Sequence, residues 1–281
     1  MNKKMIFIIA VIIAIGFGAG FVYEHLNYVS TDNANVQAHA VMLAPRVGGS
    51  VQKVLVEENQ FVTKGQELVE IDSQDYQNTF DQVKGTTSSL KVKYKDASVN
   101  LERMRRLYKE RAISPQQFDN AQAETGALQD QMTAGEAQLK QAQQNLEYTK
   151  LVAPSDGSIA KKAVEVGQIV PAGQPLIGFV SAEERWVTAN FKETDLSDLK
   201  IGQKVKIEVD ALPKHKFFGS IESISSSTGS TFTLLPPDNS TGNFTKVVQR
   251  VPVRIKFENL SKEDIQSLQA GLSAVVSVKI H

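Results

Sequence analysis

The chain has 281 residues, with 31 lysines and arginines balanced by 31 aspartates and glutamates, 41% hydrophobic residues and no cysteine. A net charge of zero removes the general electrostatic case for nucleic acid, which needs surplus cations to displace counterions. The missing cysteine excludes disulfides, Cys-ligated zinc, iron–sulfur clusters and thiol nucleophiles, and the length suits one or two folded domains.

The first element follows Lys3 and Lys4: nineteen residues without a charge, MIFIIAVIIAIGFGAGFVY, from Met5 to Tyr23. As a helix this stretch would be about 28 Å long, close to the ~30 Å hydrocarbon core of a bilayer. A cleaved signal peptide has a shorter apolar region before a small-residue site, a part Gly18-Ala19-Gly20 would serve. Continuation through Phe21, Val22 and the interfacial aromatic Tyr23 favours a retained single-pass anchor. The two lysines ahead of it place the amino terminus in the cytoplasm and everything after residue 24 across the membrane.

An internal repeat comes next. APRVGGSVQKVLVEENQFVTKGQELVEI, residues 44–71, aligns with APSDGSIAKKAVEVGQIVPAGQPLIGF, residues 153–179, with one gap after the first glycine. Identities include Ala44 with Ala153, Gly48 with Gly157, Val56 with Val164, Gln60 with Gln168, Val62 with Val170, Gly65 with Gly173 and Leu68 with Leu176. Each copy reads as short strands broken at glycines, and neither is large enough to bury a core alone. The two are expected to close on one another as a small β-sandwich. These half-motifs resemble the biotinyl/lipoyl carrier fold. The hairpin that bears the modified lysine of a carrier is replaced here by residues 73–150, and Lys53 and Lys161 read as solvated strand residues. No cofactor is therefore expected.

The segment between the halves has heptad periodicity. Tyr76, Phe80, Val83, Thr87, Leu90, Tyr94, Ala97, Leu101, Met104 and Tyr108 recur at alternating spacings of four and three. Phe118, Ala121, Thr125, Leu128, Met132, Gly135, Leu139, Ala142, Leu146 and Thr149 repeat the pattern. Such a pattern predicts two antiparallel helices of a coiled-coil hairpin. Ser114, Pro115 and Gln117 supply the N-cap, first-turn proline and capping box of the second helix. Asp72 and Asp75 are expected to cap the first.

Basic residues gather at the hairpin tip, where Arg103, Arg105, Arg106, Lys109 and Arg111 face only Glu102 and Glu110. Cations at a helix carboxyl end favour the macrodipole and are usually only solvated. A more specific feature is the spacing Arg103, three residues, Leu107, six residues, Ser114. It resembles the tip motif of periplasmic adaptors, which implies docking on a TolC-like outer-membrane channel through Arg103, Leu107 and Ser114, with Arg106, Lys109 and Arg111 as supporting charges.

Residues 182–281 alternate apolar and polar side chains in RWVTANF, QKVKIEV, FFGSIESIS, RVPVRIKF and LSAVVSVKI, with a short helix at ETDLSDL. This predicts a small β-barrel or sandwich, to which residues 30–43 add a strand. The expected fold is mixed α and β, elongated and nested. Residues 1–24 are the cytoplasmic N-terminus and transmembrane anchor, and 25–43 a linker and first barrel strand. Residues 44–72 and 151–181 are the two halves of the split lipoyl-like domain, 73–150 the α-helical hairpin and 182–281 the barrel.

The whole chain resembles membrane-fusion, or periplasmic adaptor, proteins of the HlyD family, and within it the EmrA type. The resemblance rests on STDNANV at 30–36, the two half-motifs and their hairpin, VTANFKETDL at 187–196 with IGQKVKIEVD after it, and TFTLLPPDNSTGNFTKVVQRVPVRI at 231–255. It implies a non-enzymatic adaptor of a tripartite multidrug efflux system in a Gram-negative inner membrane. Its implied partners are an inner-membrane transporter, a TolC-like channel and further copies of itself in a trimeric or hexameric ring. The chain ending just after the barrel, together with its short hairpin, favours a major-facilitator transporter. A type I secretion adaptor serving an ABC transporter is the closer alternative, and a biotinyl/lipoyl carrier subunit the more remote one.

Enzymatic chemistry has little footing. His25, His39, His215 and His281 include no two at metal-ligand spacing, and the Ser-rich SISSSTGST at 223–231 has the composition of a loop. Neither a catalytic residue nor a metal ligand can be named.

Overall fold

The computed structural model describes residues 27–228 and 248–280. The expected anchor Met5–Tyr23 and most of the string at 231–255 lie outside them, and among the described residues no helix is long and apolar enough to cross a membrane. The chain divides into two compact units, Val41–Phe179 and Met1–Ala40 with Val180–His281. Both division points fall inside continuous strands, β1 (Tyr28–Leu43) and β8 (Ile177–Lys192), so no loop marks either domain boundary.

In the unit Val41–Phe179 the repeat becomes an exchange of strands. The first half supplies β2 (Gly49–Val54), β3 (Phe61–Val62) and β4 (Glu67–Ile71); the second supplies β6 (Gly157–Lys162) and β7 (Ile169–Val170), with β5 (Lys150–Val152) leading into it. β3 pairs with β6, Phe61 opposite Ser158, and β7 pairs with β2, Ile169 opposite Ser50. Each half therefore completes the hydrogen-bond ladder of the other. Its core contains Val51, Val56, Val62, Leu68, Val69 and Ile71 with their repeat mates Ile159, Val164, Val170, Leu176, Ile177 and Phe179. Burial of such side chains contributes roughly 1.5–3 kcal/mol each, and here it exists only when both halves are present.

The turns repeat as well. The Glu57 N–H donates to the Gln60 side-chain oxygen at 2.9 Å, and the Glu165 N–H to that of Gln168 at 3.3 Å. At one corner the left-handed backbone is taken by Asn59 (φ 66) in the first half and by Gly167 (φ 87) in the second. Asparagine is among the few side chains that tolerate that region, which is why the corner survives the substitution.

Between the halves rise α1 (Gln74–Lys109) and α2 (Pro115–Glu147). All twenty seam positions named above except Tyr108 are buried or half-buried. The fully buried ones are small or short: Thr87, Ala121, Thr125, Gly135 and Ala142 among the helical residues. Thr87 Oγ1 donates to the Gly135 carbonyl across the seam at 3.0 Å, while the Thr125 hydroxyl lies 2.8 Å from the Ala121 carbonyl of its own helix and 3.2 Å from that of Ala97 across the seam. At the base, the Tyr76 hydroxyl donates to the Gly48 carbonyl at 2.7 Å and the Ile71 N–H to that of Thr149 at 2.8 Å. The expected capping of α1 is corrected in detail. The N-cap position is Ser73, whose side chain makes no cap bond, while the Asp72 carboxylate accepts the Gln74 N–H at 3.0 Å and Asp75 lies in the first turn.

The other unit is a closed sheet in the order β1, β12 (Ser273–Lys279), β9 (Lys204–Val209), β10 (Lys216–Ile224), β11 (Arg250–Phe257) and β8, with a β1–β8 pairing completing the circle. Inward residues alternate along the strands, interrupted by register shifts between Thr31 and Ala34 of β1 and between Ile221 and Ser223 of β10, and Val36, Val187, Phe191, Ile207, Ile255 and Val276 are wholly inaccessible. The sheet carries one helix that the sequence reading did not assign, α3 (Lys262–Ser267), started by a reciprocal capping box between Ser261 and Asp264. The buried Arg185 lies at its end: Nε donates to the Leu268 carbonyl at 2.8 Å and Nη1 to those of Ser181 and Glu184. Burial pushes its pKa down from the usual arginine value.

Candidate functional site: the hairpin tip

The tip is built by two interlocking helix stops. α1 closes with the Ala112 N–H donating to the Leu107 carbonyl at 2.9 Å and the Arg111 N–H to that of Tyr108 at 3.0 Å. This is a Schellman arrangement, and it requires a left-handed residue at Arg111 (φ 57), a position glycine usually fills. Three residues later Ser114 begins α2. Its hydroxyl accepts the Gln117 N–H at 3.3 Å, and the Gln117 side-chain oxygen accepts the Ser114 N–H at 3.0 Å. The reciprocal box and Pro115 in the first turn are the features expected of the sequence S-P-Q-Q. Tyr108 and Phe118 stack across the hairpin, ring centroids 5.0 Å apart and planes 10° from parallel, closing the seam just below the turn.

Against that frame, Arg103 and Leu107 lie one turn apart on the same flank of α1, beside the seam, while Ser114 stands across the turn. Leu107 is half-buried; Arg103, Arg106, Lys109, Arg111 and Ser114 are exposed. Arg105 pairs with Glu102 at 3.1 Å. Among the described residues Arg103, Arg106, Lys109 and Arg111 enter no ion pair, so the tip presents cations free to meet an acidic partner. Ser114 is already engaged as a cap, which makes its structural duty independent of any docking. The strained Arg111 was not legible from motif spacing; its signal was a helix end without glycine, with a new N-cap three residues after Arg111.

Among the described residues no group of three or more His, Asp or Glu side chains is placed to hold a metal ion. His39 lies 3.4 Å from Glu184 and 4.9 Å from the Trp186 ring, and Arg254 covers that ring at 4.1 Å. Asp264 is held below the usual aspartate range by hydrogen bonds from Ser261, as a capping residue would be.

Comparison with known proteins agrees with this architecture. The family model described as RND MFP, barrel-sandwich hybrid domain, matches residues 39–181, and the AAEA-like beta-barrel domain matches residues 185–279. Among curated proteins, the multidrug export protein EmrA of Haemophilus influenzae is 35% identical over 90% of this chain and 77% of its own length. The colistin resistance protein EmrA of Acinetobacter baumannii is 32% identical, covering 92% and 89%. A solved structure of the periplasmic adaptor protein EmrA superposes with a TM-score of 0.52 at 20% identity, over 91% of this chain and 99% of that one.

Proposed function

This chain belongs to the membrane fusion protein family, in its EmrA type, and from that premise we propose that it is the periplasmic adaptor of a multidrug efflux pump. The observation that carries the reading is near-full-length similarity to proteins named for multidrug export and for colistin resistance, joined to a hairpin that splits a lipoyl-like domain at the repeat boundary. In this reading residues 5–23 anchor the chain in the inner membrane with the amino terminus cytoplasmic, and the folded units lie in the periplasm. The inner-membrane partner is a major-facilitator drug/proton antiporter, the outer one a TolC-like channel, and several copies form a ring. The adaptor itself performs no chemistry; the antiporter supplies the energy and the adaptor the conduit.

At the tip, Arg103 and Leu107 supply a charge and an apolar contact on one helix flank, and the exposed Arg106, Lys109 and Arg111 add to the positive charge of the tip. A channel mouth with acidic side chains would be attracted at long range and positioned by the Leu107 contact. Deletion of the gene, complemented with wild type or Arg103→Asp, tests this. Deletion should sensitise cells to hydrophobic drugs, and only wild type should restore resistance, with Arg103→Asp still expressed and folded. Full rescue by Arg103→Asp, with crosslinking to the channel intact, would remove the docking role. Unchanged drug sensitivity with loss of a secreted polypeptide would move the cargo assignment to type I secretion.

A further inference from the structure

Ile201, in the barrel unit, is displayed rather than buried, more so than the exposed Phe218 of β10. Lys200, Ile201, Gly202 and Gln203 form a tight turn leading into β9. The Gln203 N–H donates to the Lys200 carbonyl at 3.3 Å, the Lys200 N–H donates to the Gln203 side-chain oxygen at 2.7 Å, and Gly202 has φ 87. A positive φ at the third position is the signature of a type II turn, and only glycine adopts it without strain. The turn is tied down on both sides. Gly202 donates to the Ile221 carbonyl at 2.9 Å, Ile221 donates to that of Gln203 at 3.1 Å, and the Gln203 amide donates to that of Asp198 at 3.0 Å. Ile201, at the second position, is thus held outward on a rigid support, 70% exposed. Lys200 and Lys204 flank it, both exposed, and because Val278 pairs with Val205 the exposed Lys279 sits beside Lys204. The nearest acid along the chain, Asp198, lies within bonding distance of the Ser197 hydroxyl.

The position of the turn is as informative as its composition. Tyr28, the first residue of β1, pairs with Lys279, which neighbours Lys204. The turn therefore stands at the barrel end where β1 begins, about two strand spacings, or ~10 Å, from Tyr28. The apolar run of the sequence ends at Tyr23, and five Cα steps reach at most about 18 Å. A barrel tethered so briefly keeps this end close to the surface of whatever bilayer holds the run.

We infer that the Lys200–Gln203 turn is a membrane contact: Ile201 enters the interfacial layer of the bilayer, and Lys200 and Lys204 meet the phosphates of anionic phospholipid. The inference rests on the anchor reading of residues 5–23. An apolar tip ringed by flexible cations is the composition that suits a lipid interface, where the side chain is buried and the ammonium groups stay in the headgroup layer. It would fix the barrel's tilt on the membrane, which a four-residue linker alone leaves free.

The absence of cysteine makes the test clean. The full chain carrying Ile201→Cys, labelled with an environment-sensitive fluorophore, is reconstituted into vesicles of phosphatidylethanolamine and phosphatidylglycerol doped with headgroup-proximal nitroxide lipid. The same label at Ile169→Cys, on the other unit, is the reference. Quenching should be several-fold greater at 201 than at 169, and should fall about twofold when Lys200→Glu and Lys204→Glu are added or when phosphatidylcholine replaces phosphatidylglycerol. Equal quenching at the two sites, with the chain still retained after alkaline carbonate washing, would overturn the contact and leave the anchor standing. Release by the wash would overturn both. Quenching that needs a co-reconstituted transporter would assign the turn to that protein and overturn the lipid contact.

Discussion

The hairpin and the split β domain are continuous in sequence but held together in opposite ways. The β domain buries large side chains completely, Phe179, Leu68, Ile71 and Leu176 among them, and does so by combining residues more than a hundred positions apart. The hairpin buries fully only Thr87, Ala121, Thr125, Gly135 and Ala142 along its helices, leaving its leucines half-covered. Two helices alone cannot enclose a large side chain, so their union depends on close approach at small residues and on the Thr87 hydrogen bond to Gly135. The β domain should therefore fail as a whole, whereas the hairpin should fail locally.

The sharpest way to break that contrast is to truncate repeat mates. Leu68→Ala and Leu176→Ala should each destabilise the β domain by about 3 kcal/mol, within the range for fully buried leucines. Urea unfolding of the two variants should give matching losses; one silent variant would show that the halves do not share a core.

A second test sits in the seam. A side chain at Gly135 would meet Leu90 Cδ1 at 3.1 Å and Thr87 Oγ1 at 3.4 Å, so Gly135→Leu should force the helices apart and cost about 2 kcal/mol. Leu128→Asp, placing a charge on the same seam, should act similarly. Helical circular dichroism should melt early in both, while fluorescence of the single tryptophan, Trp186 in the barrel, keeps its wild-type transition. Joint melting of the two signals would refute local failure.

At the tip the expected change is a gain. Arg111→Gly relieves a left-handed arginine and should stabilise the end of the hairpin by about 1 kcal/mol, read as slower amide exchange at residues 107–112. If efflux falls while stability rises, the arginine is there for its charge.

The smallest effect concerns the Asp264 cap of α3. Its folded pKa is lowered from the ordinary 3.8 by Ser261, so its contribution is present above that value and is lost as pH falls through the lower folded value. Asp264→Asn should cost at most about 1 kcal/mol near neutrality, and the difference from wild type should vanish in acid. A difference that does not shrink as the pH is lowered would point away from the carboxylate.

Much of this was written in short-range patterns. The heptad runs, the Ser114-Pro115-Gln117 stop and the strand alternation in RVPVRIKF each depend on residues within a turn or two of one another, and each appears in the structure where the spacing puts it. The α3 helix was legible in principle through Ser261 and Asp264, but six residues are too few for periodicity to stand out. Asp72 rather than Asp75 bonding the first turn of α1 was beyond composition, because both carboxylates are within reach of free N–H groups and backbone geometry decides between them.

By itself, then, the sequence determined the repeat, the inserted coiled coil, the barrel strands and the basic tip, since side-chain period and capping chemistry are local properties. Only the tertiary structure decided that β3 pairs with β6 and β7 with β2, that β1 and β8 run unbroken between the compact units, that Arg111 is left-handed and that Ile201 faces outward. Those are outcomes of which distant partner completes a ladder or fills a core, and no window of neighbouring residues contains that partner.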